Sequence, residues 1–286
     1  MRLAGAAAVR ENGGSLSQIE NEQLQYAEML IDVSQNRNSH CCQVLEHINE
    51  DICKIAFPAM TYFTQSNHLD AVEWLFPGQQ LDSNVTILCS NNTSVDMWNA
   101  IAQGFNTNQE HVLKSKDSFP EVDDPHGHIK KMLTTSVLNS MTKNGVPNHE
   151  LKLKIGDVCL VLRAIHGLGL ANNSRVQIVG IGAHSVEIKT MGEIEEQTLK
   201  VPRISFKFRL SYGQSYQILR MQYPLRLAYA MTFNKSQSQA LTKVLLDITN
   251  PPFTHGKLYV AMSRVRDCRN ICMYLTEEQL VPTEHS

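Results

Sequence analysis

The sequence predicts an α/β fold: a parallel sheet with helices on both faces, interrupted by a β-rich insert over residues 150–209. Three observations carry this. Val85–Cys89 is a short apolar run followed at once by capping residues and a helical stripe. From Leu151 the hydrophobic period shortens to that of strands. From Leu225 onward, apolar runs alternate again with a helical stripe. Buried strands joined through helices make a parallel sheet covered on both sides.

In order along the chain, residues 4–24 are polar with Gly and Ser and predict a loop. Gln23–Val33 carries Leu24, Ala27, Leu30 and Ile31 at helical spacing. Residues 34–44 are a polar linker, and Glu46–Ile55 repeats the helical pattern with Ile48, Ile52 and Ile55. Val85–Cys89 is a buried strand. Asn91-Asn92-Thr93 supplies cap chemistry, and Val95, Trp98, Ile101 and Ala102 form a stripe that stops at Gly104. Lys116–Gly127, acidic and Pro-bearing, predicts a loop. Ile129–Met141 predicts an amphipathic helix closed by Gly145 and Pro147.

Val158–Leu162, Arg175–Ile181, Val186–Lys189 and Thr198–Val201 then predict short strands. Asn172-Asn173 is a tight turn and Gly182-Ala183-His184 a hairpin turn. Leu225–Phe233 leads into a polar turn at Asn234–Gln239. Val244–Ile248 is a buried strand. Thr254 caps a helix with the stripe Leu258, Ala261, Met262 and Val265, and Asn270–Leu275 closes the sheet. The expected division is 1–149, 150–209 and 210–286, the first and last parts forming one domain around the insert.

The chain has 286 residues, 42% hydrophobic and 19% charged, enough for one large core or a core with a smaller inserted domain. No run of eighteen apolar residues exists, so no membrane span is expected. The apolar stretch in Met1–Arg10 is too short for a signal peptide. Seven cysteines at 41, 42, 53, 89, 159, 268 and 272 give an odd count, which argues for reduced thiols inside a cell. Cys268 with Cys272, and His126 with His128, each lack a second half at metal spacing.

The net charge of -2 is unevenly spread. Residues 200–246 hold eight Lys/Arg and no Asp/Glu: Lys200, Arg203, Lys207, Arg209, Arg220, Arg226, Lys235 and Lys243. Phe206, Phe208, Tyr212, Tyr216, Tyr223, Tyr229 and Phe233 interleave with them. Two readings fit. One is a cationic groove with stacking platforms for a single nucleic-acid strand. The other is a set of strands with charge-guarded edges and a half-aromatic core.

Several motifs in order carry a resemblance. Ala228–Leu241 (Ala-Tyr-Ala-Met-Thr-Phe-Asn-Lys-Ser-Gln-Ser-Gln-Ala-Leu) resembles the fifth motif of PIF-type superfamily-one helicases, a family that includes the helicase domains of Helitron transposons. His255–Arg266 resembles the sixth motif, Thr86–Asn99 the fourth, and Gly145–Gly156 and Gln222–Leu227 further family stretches. Met1-Arg2-Leu3 resembles the element that opens the family's second motor domain.

The resemblance implies two RecA-like domains that clamp ATP, the first carrying the phosphate loop and the magnesium-holding carboxylates. No Gly-x-x-x-x-Gly-Lys-Ser/Thr occurs in these 286 residues. The chain therefore resembles the second, C-terminal RecA-like half, with a small β-barrel-like insert. The implied function is the C-terminal motor domain of an ATP-dependent 5′→3′ DNA helicase, a hydrolase of DNA repair or recombination in the nucleus. The implied cofactor is ATP with Mg2+, the metal held by a first RecA-like domain supplied in cis or in trans. The other implied partner is single-stranded DNA; no membrane is involved.

Carried over residue by residue, Arg264 is the arginine finger and Arg2 a second phosphate-facing arginine. A guanidinium suits this role because it stays charged and binds phosphate through a planar fork. Ser238, Gln239, Asn92 and Arg266 fall at ATP-contacting positions; for Asn92 a helix cap is the alternative. Thr232, Asn234, Lys235, Ser236, Gln237 and His255 fall at DNA-contacting positions. Ser238 stands where the family has glycine, Ala240 where it has threonine and Ala164 where it has asparagine. These departures keep two alternatives open: a non-enzymatic nucleic-acid-binding module, or an inactive transposon-derived remnant.

Overall fold

The computed structural model describes residues 18–35, 61–79, 84–118, 135–191, 196–212, 214–236, 241–250, 257–265 and 267–277. The chain divides into two compact units, 1–101 with 230–286, and 102–229. It begins with helix α1 (Gln18–Gln35), strand β1 (Thr61–Thr64), helix α2 (His68–Leu75), strand β2 (Val85–Cys89) and helix α3 (Asn92–Gly104), which carries it into the second unit. There follow β3 (Glu110–Lys114), β4 (Lys116–Ser118), α4 (Thr135–Ser140), β5 (Glu150–Lys154), β6 (Val158–Val161) and β7 (Arg175–Ile181). The unit continues with β8 (Ser185–Thr190), β9 (Thr198–Pro202), β10 (Ile204–Tyr212), β11 (Gln214–Gln222) and β12 (Leu225–Leu227). The first unit resumes with β13 (Ala230–Thr232), β14 (Lys243–Asp247), α5 (Lys257–Met262) and β15 (Ile271–Leu275).

The first unit is a five-stranded sheet in the order β1-β15-β14-β2-β13, with every pairing parallel. Its inner strands read as unbroken apolar runs because helices deny water both faces. Ile87, Leu88, Val244, Leu245, Leu246 and Cys272 are fully buried. Ala71, Val72 and Leu75 of α2 and Val95 and Trp98 of α3 are buried with them. Helix α1 buries Leu24, Tyr26 and Ala27, and the Tyr26 hydroxyl donates to the Met262 carbonyl at 2.8 Å, tying α1 to the end of α5.

The second unit is antiparallel throughout. Its strands form a five-stranded sheet β12-β6-β7-β8-β9, a three-stranded sheet β10-β11-β4 and the pair β3-β5. Inward residues of the five-stranded sheet share one core with Leu151 and Leu153 of β5. No pairing of β9 with β12 closes that sheet among the described residues. At the β5–β6 turn, Gly156 takes φ +92, a backbone that L side chains rarely adopt. Asn173 (φ 64) makes the expected tight turn, and Gly182 closes the β7–β8 hairpin with an N–H bond to Ser185 O at 2.9 Å.

Two buried charges organise this unit. Arg220 of β11 is 0% exposed and grips Asp117 of β4 with Nε at 3.0 Å and Nη2 at 2.7 Å. Its remaining hydrogens go to the carbonyls of Leu138, Met141 and Pro147, at 2.9–3.1 Å. Gln222, also buried, donates to the carbonyls of Leu113 and His149. The segment from α4 to β5 is thereby pinned to β11 by side chains rather than by a ladder. Asp157, the second charge, accepts from Gln103 Nε2 (2.5 Å), Asn106 Nδ2 (2.8 Å), Lys154 N–H (2.7 Å) and the Tyr229 hydroxyl (2.8 Å). Gln103 and Tyr229 stand at the entry to and exit from the unit, so one carboxylate holds both ends.

Several expectations change. The loop expected over 4–24 is already helix from Gln18. The loop expected over Lys116–Gly127 begins as strand β4, because Asp117 must meet Arg220. The antiparallel unit extends well beyond 150–209, since β3, β4 and β11 complete its sheets. Strand β1 and helix α2 had no expected counterpart. The helix expected over Ile129–Met141 is described for Thr135–Ser140. That expected over Glu46–Ile55 lies outside the described residues, as do Cys41, Cys42, Cys53, His126, His128 and Thr254.

Replacing Asp117 by alanine would leave the Arg220 charge buried and uncompensated. The expected loss is about 3–5 kcal/mol, read as a fall in the urea midpoint of the antiparallel unit. A loss below about 1 kcal/mol would mean that the three carbonyls satisfy the guanidinium unaided.

Candidate functional site

The described candidate residues of the first unit collect at the carboxyl ends of its parallel strands and in the turn after α5. In open α/β sheets such ends are where ligands bind. Strand β2 runs into Ser90 and Asn91, and Asn91 Oδ1 accepts the Ser94 N–H at 2.8 Å. The cap of α3 is thus Asn91; Asn92 is the first helical residue. Asn99, about two turns further along the same helix, is buried. Its Oδ1 accepts the Ala230 N–H at 2.9 Å and its Nδ2 donates to the Ala230 carbonyl at 3.4 Å. It holds the start of β13 rather than a ligand.

Strand β13 ends at Thr232, beside Cys89, and the chain turns through a single 3-10 turn at Phe233–Ser236. Thr232 and Lys235 are half-buried and Asn234 is exposed. Ser236 is fully buried and its hydroxyl donates to the Phe233 carbonyl at 2.7 Å, so its side chain closes the turn rather than facing solvent. Strand β14 ends at Asp247, whose Oδ2 accepts Trp98 Nε1–H at 2.8 Å and whose Oδ1 accepts the Thr249 hydroxyl at 2.6 Å. Trp98 meets Tyr274 edge-on at 4.7 Å. Trp98 is thus more than a stripe residue in the core: its indole is the hydrogen-bond partner of a buried carboxylate between β14 and α3.

Arg264 lies in the turn after α5, not on the helix. Its Nε donates to Val260 O at 3.0 Å and its Nη2 contacts Ser263 Oγ at 3.1 Å, which sets the guanidinium against the helix end. Its carbonyl accepts the Leu241 N–H at 3.3 Å. The segment resuming at Leu241, after the polar turn, is therefore bonded directly to the arginine's backbone. Arg2, Gln237, Ser238, Gln239, His255 and Arg266 lie outside the described residues.

The basic run of 200–246 is not one groove. Arg220 is internal, and Lys200 pairs with Glu187 at 3.1 Å. Arg203 covers the Tyr223 ring at 4.7 Å, and Lys243 sits 3.9 Å from the Trp74 ring while donating to the Trp74 carbonyl. Phe206, Phe208, Tyr223, Tyr229 and Phe233 are buried core residues, not platforms for bases. Lys207 and Arg209 stay exposed. Among the described residues, no three His, Cys, Asp or Glu side chains gather to hold a metal, and no helix is long and apolar enough to cross a membrane.

The family model of the DNA helicase Pif1 2B domain matches residues 136–181, within the antiparallel unit. The ATP-dependent DNA helicase Pif1 of Campylobacter jejuni is 40% identical over 57 residues, 20% of this chain and 12% of that protein. Human PIF1 is 31% identical over 122 residues, 42% of this chain and 19% of that protein. The Candida albicans Pif1 helicase structure covers 95% of this chain and 58% of its own, with TM-score 0.56 and 16% identity. Bacteroides Pif1 bound to ssDNA covers 90% of this chain and 51% of its own, with TM-score 0.54 and 18% identity. The matched stretches thus span under a fifth of these curated relatives and about half of the solved ones. The parallel sheet flanked by helices matches the RecA-like fold of these solved structures. Over these stretches the chain is similar to Pif1-type DNA helicases.

The buried thiols give a pH prediction. Burial pushes the Cys272 thiol up to about 12, against the opposing Lys243 charge. Burial first, then the Asp247 carboxylate, raises Cys89; burial and then Asp157 raise Cys159. In the unfolded chain these thiols ionise near pH ~8.5. Above that pH the unfolded state has released protons that the folded state keeps, so stability falls as pH rises. The expected slope is up to about 1.4 kcal/mol per pH unit for each thiol, seen as a lowered urea midpoint, and alanine at Cys272 should reduce it. A midpoint flat through the alkaline range would contradict this.

Proposed function

We propose that this chain is the C-terminal motor half of an ATP-dependent 5′→3′ DNA helicase, which supplies the arginine finger and part of the single-strand track. The observation that best supports this is the Leu241–Arg264 backbone bond. It joins the segment after the polar turn to the arginine, so a shift at one is felt at the other. Coupling a strand-gripping turn to a nucleotide-sensing cation is what a motor needs for closure to move its grip.

Arg264 fits a nucleotide. Its guanidinium, bonded to Val260 O and Ser263 Oγ at a half-exposed position, is a fixed charge of the kind that transferring phosphate oxygens need. ATP and its Mg2+ would be held chiefly by a first RecA-like domain, which brings the phosphate loop; when bound, the nucleotide supplies the energy of phosphoryl transfer. From this chain, Arg264 would neutralise charge on the transferring group. Asn92, Ser238, Gln239 and Arg266 would line the nucleotide, with Arg2 as a second phosphate-facing arginine. Thr232, Asn234 and Lys235 would meet the DNA backbone, joined by Gln237 and His255; Ser236 would contribute through its main chain only. The solved Bacteroides Pif1 in complex with ADP-AlF3 and ssDNA names the same two ligand classes for a relative.

Two outcomes test the reading. The 286-residue chain alone should show no ATP hydrolysis above background. Joined to the first motor domain of a Pif1 relative, it should restore DNA-stimulated hydrolysis, and Arg264→Ala should lower kcat by about 10³–10⁵-fold with single-strand affinity little changed. Turnover that survives Arg264→Ala would refute the finger assignment.

A further inference from the structure

We infer that the outer face of the β10-β11-β4 sheet is a second contact surface for a single nucleic-acid strand, in the unit that holds none of the candidate nucleotide- or DNA-contacting residues above. The register divides this sheet cleanly. Phe206 pairs with Arg220 and Phe208 with Ile218, and all four are buried on the inner face, where Leu138 of α4 packs beside Phe208 and Ile218. Lys207 pairs with Leu219, Arg209 with Gln217 and Ser205 with Met221, which places these residues on the opposite, outer face. Strand β4 continues both faces: Asp117 goes inward to Arg220, while Lys116 lies beside Met221 on the outside.

The charge follows the faces. The three strands contain one carboxylate, Asp117, and it is consumed by Arg220 in the interior. The outer face therefore carries Lys116, Lys207 and Arg209, all exposed, and no acid. Those cations stand on the two outer strands, about 10 Å apart across the sheet. Between them, on β11, lie Met221, 46% exposed, and the half-buried Leu219. Cationic rails on either side of an apolar strip call for a polyanion with an apolar surface of its own. A single strand has both, because its phosphates seek cations and its unpaired bases can cover methionine and leucine. A duplex keeps its bases stacked inside and would leave Met221 and Leu219 uncovered. That the polyanion is DNA rests on the helicase reading; that the face is built for a single strand does not.

The test uses the full chain, a fluorescent oligo-dT and a hairpin duplex of matched length, with binding read by anisotropy over a salt series. Charge reversal of Lys116, Lys207 and Arg209 to Glu should weaken oligo-dT binding on the order of tenfold or more. It should also reduce the slope of log affinity against log salt by about 2, the loss of three phosphate contacts. Met221→Ala should weaken oligo-dT binding and leave the duplex unaffected. All four positions are exposed, so thermal unfolding should be unchanged and loss of fold is excluded by the same sample. A companion variant, Asn234→Ala with Lys235→Ala, reports on the motor turn. If the companion binds weakly while the charge-reversed chain keeps wild-type affinity and slope, this surface is refuted and the helicase reading survives. If the charge-reversed chain alone is weak, the surface stands and the turn assignment falls. Equal weakening on oligo-dT and duplex would overturn the single-strand specificity.

Discussion

The antiparallel unit depends on one ion pair. A buried guanidinium is tolerable only if its charge is matched and its five hydrogens are placed, and Arg220 meets both demands with Asp117 and three backbone carbonyls. Those carbonyls belong to the stretch between α4 and the start of β5, which has little regular structure of its own. Arg220 therefore replaces a missing strand: it supplies the donors that a ladder would have supplied. The same demand draws Asp117 inward, and that choice empties the outer face of acid. Internal electrostatics and surface chemistry are two results of one pairing.

The parallel-sheet unit solves a related problem at its carboxyl edge. Asp247 ends the central strand as a buried carboxylate held by an indole N–H and a threonine. Trp98 comes from α3 and Thr249 from the turn after β14, so the acid locks helix, strand and turn together. Around it the sheet is apolar, which explains why Cys89 and Tyr274 both resist ionisation: burial dominates and the nearby carboxylate adds to it. Arg264 is bonded to the Val260 carbonyl through its side chain and to Leu241 through its backbone.

Much of the fold was legible in the sequence because burial writes a strong period. Val85–Cys89 and Arg175–Ile181 match to the residue, and the stripe through Val95 and Trp98 marks α3. The hairpin β10–β11 was blurred because cations and aromatics alternate along it, a pattern that suits a binding groove and a half-buried sheet equally. Only the register shows that the aromatics face inward. Asp117 was hidden in an acidic, Pro-bearing stretch, where nothing local distinguishes a paired carboxylate from a solvated one. Of the candidate site, the family motifs mark Arg264 and the turn at 232–236 by resemblance alone. The Ser236 hydroxyl bonds the Phe233 carbonyl, which is not legible locally, because a hydroxyl in a polar turn reads the same whether it faces water or its own backbone. Asn91 rather than Asn92 caps α3 for a similar reason: neighbouring asparagines are equivalent until the helix start is fixed.

Asn99 and Asp157 together have a consequence for how such chains are assembled. Asn99 brings the main chain of Ala230 to the side of α3, just before that helix leaves the parallel sheet. Asp157 gathers Gln103, Asn106 and Tyr229 just inside the antiparallel unit. The two ends of the 102–229 segment are thus clasped twice, once on each side of the junction. A segment whose ends meet is a cassette: it can be lengthened, exchanged or excised and the gap bridged by a few residues, while the strand order of the host sheet is preserved. Variation among relatives should therefore concentrate within the cassette, with the two clasps as its fixed borders.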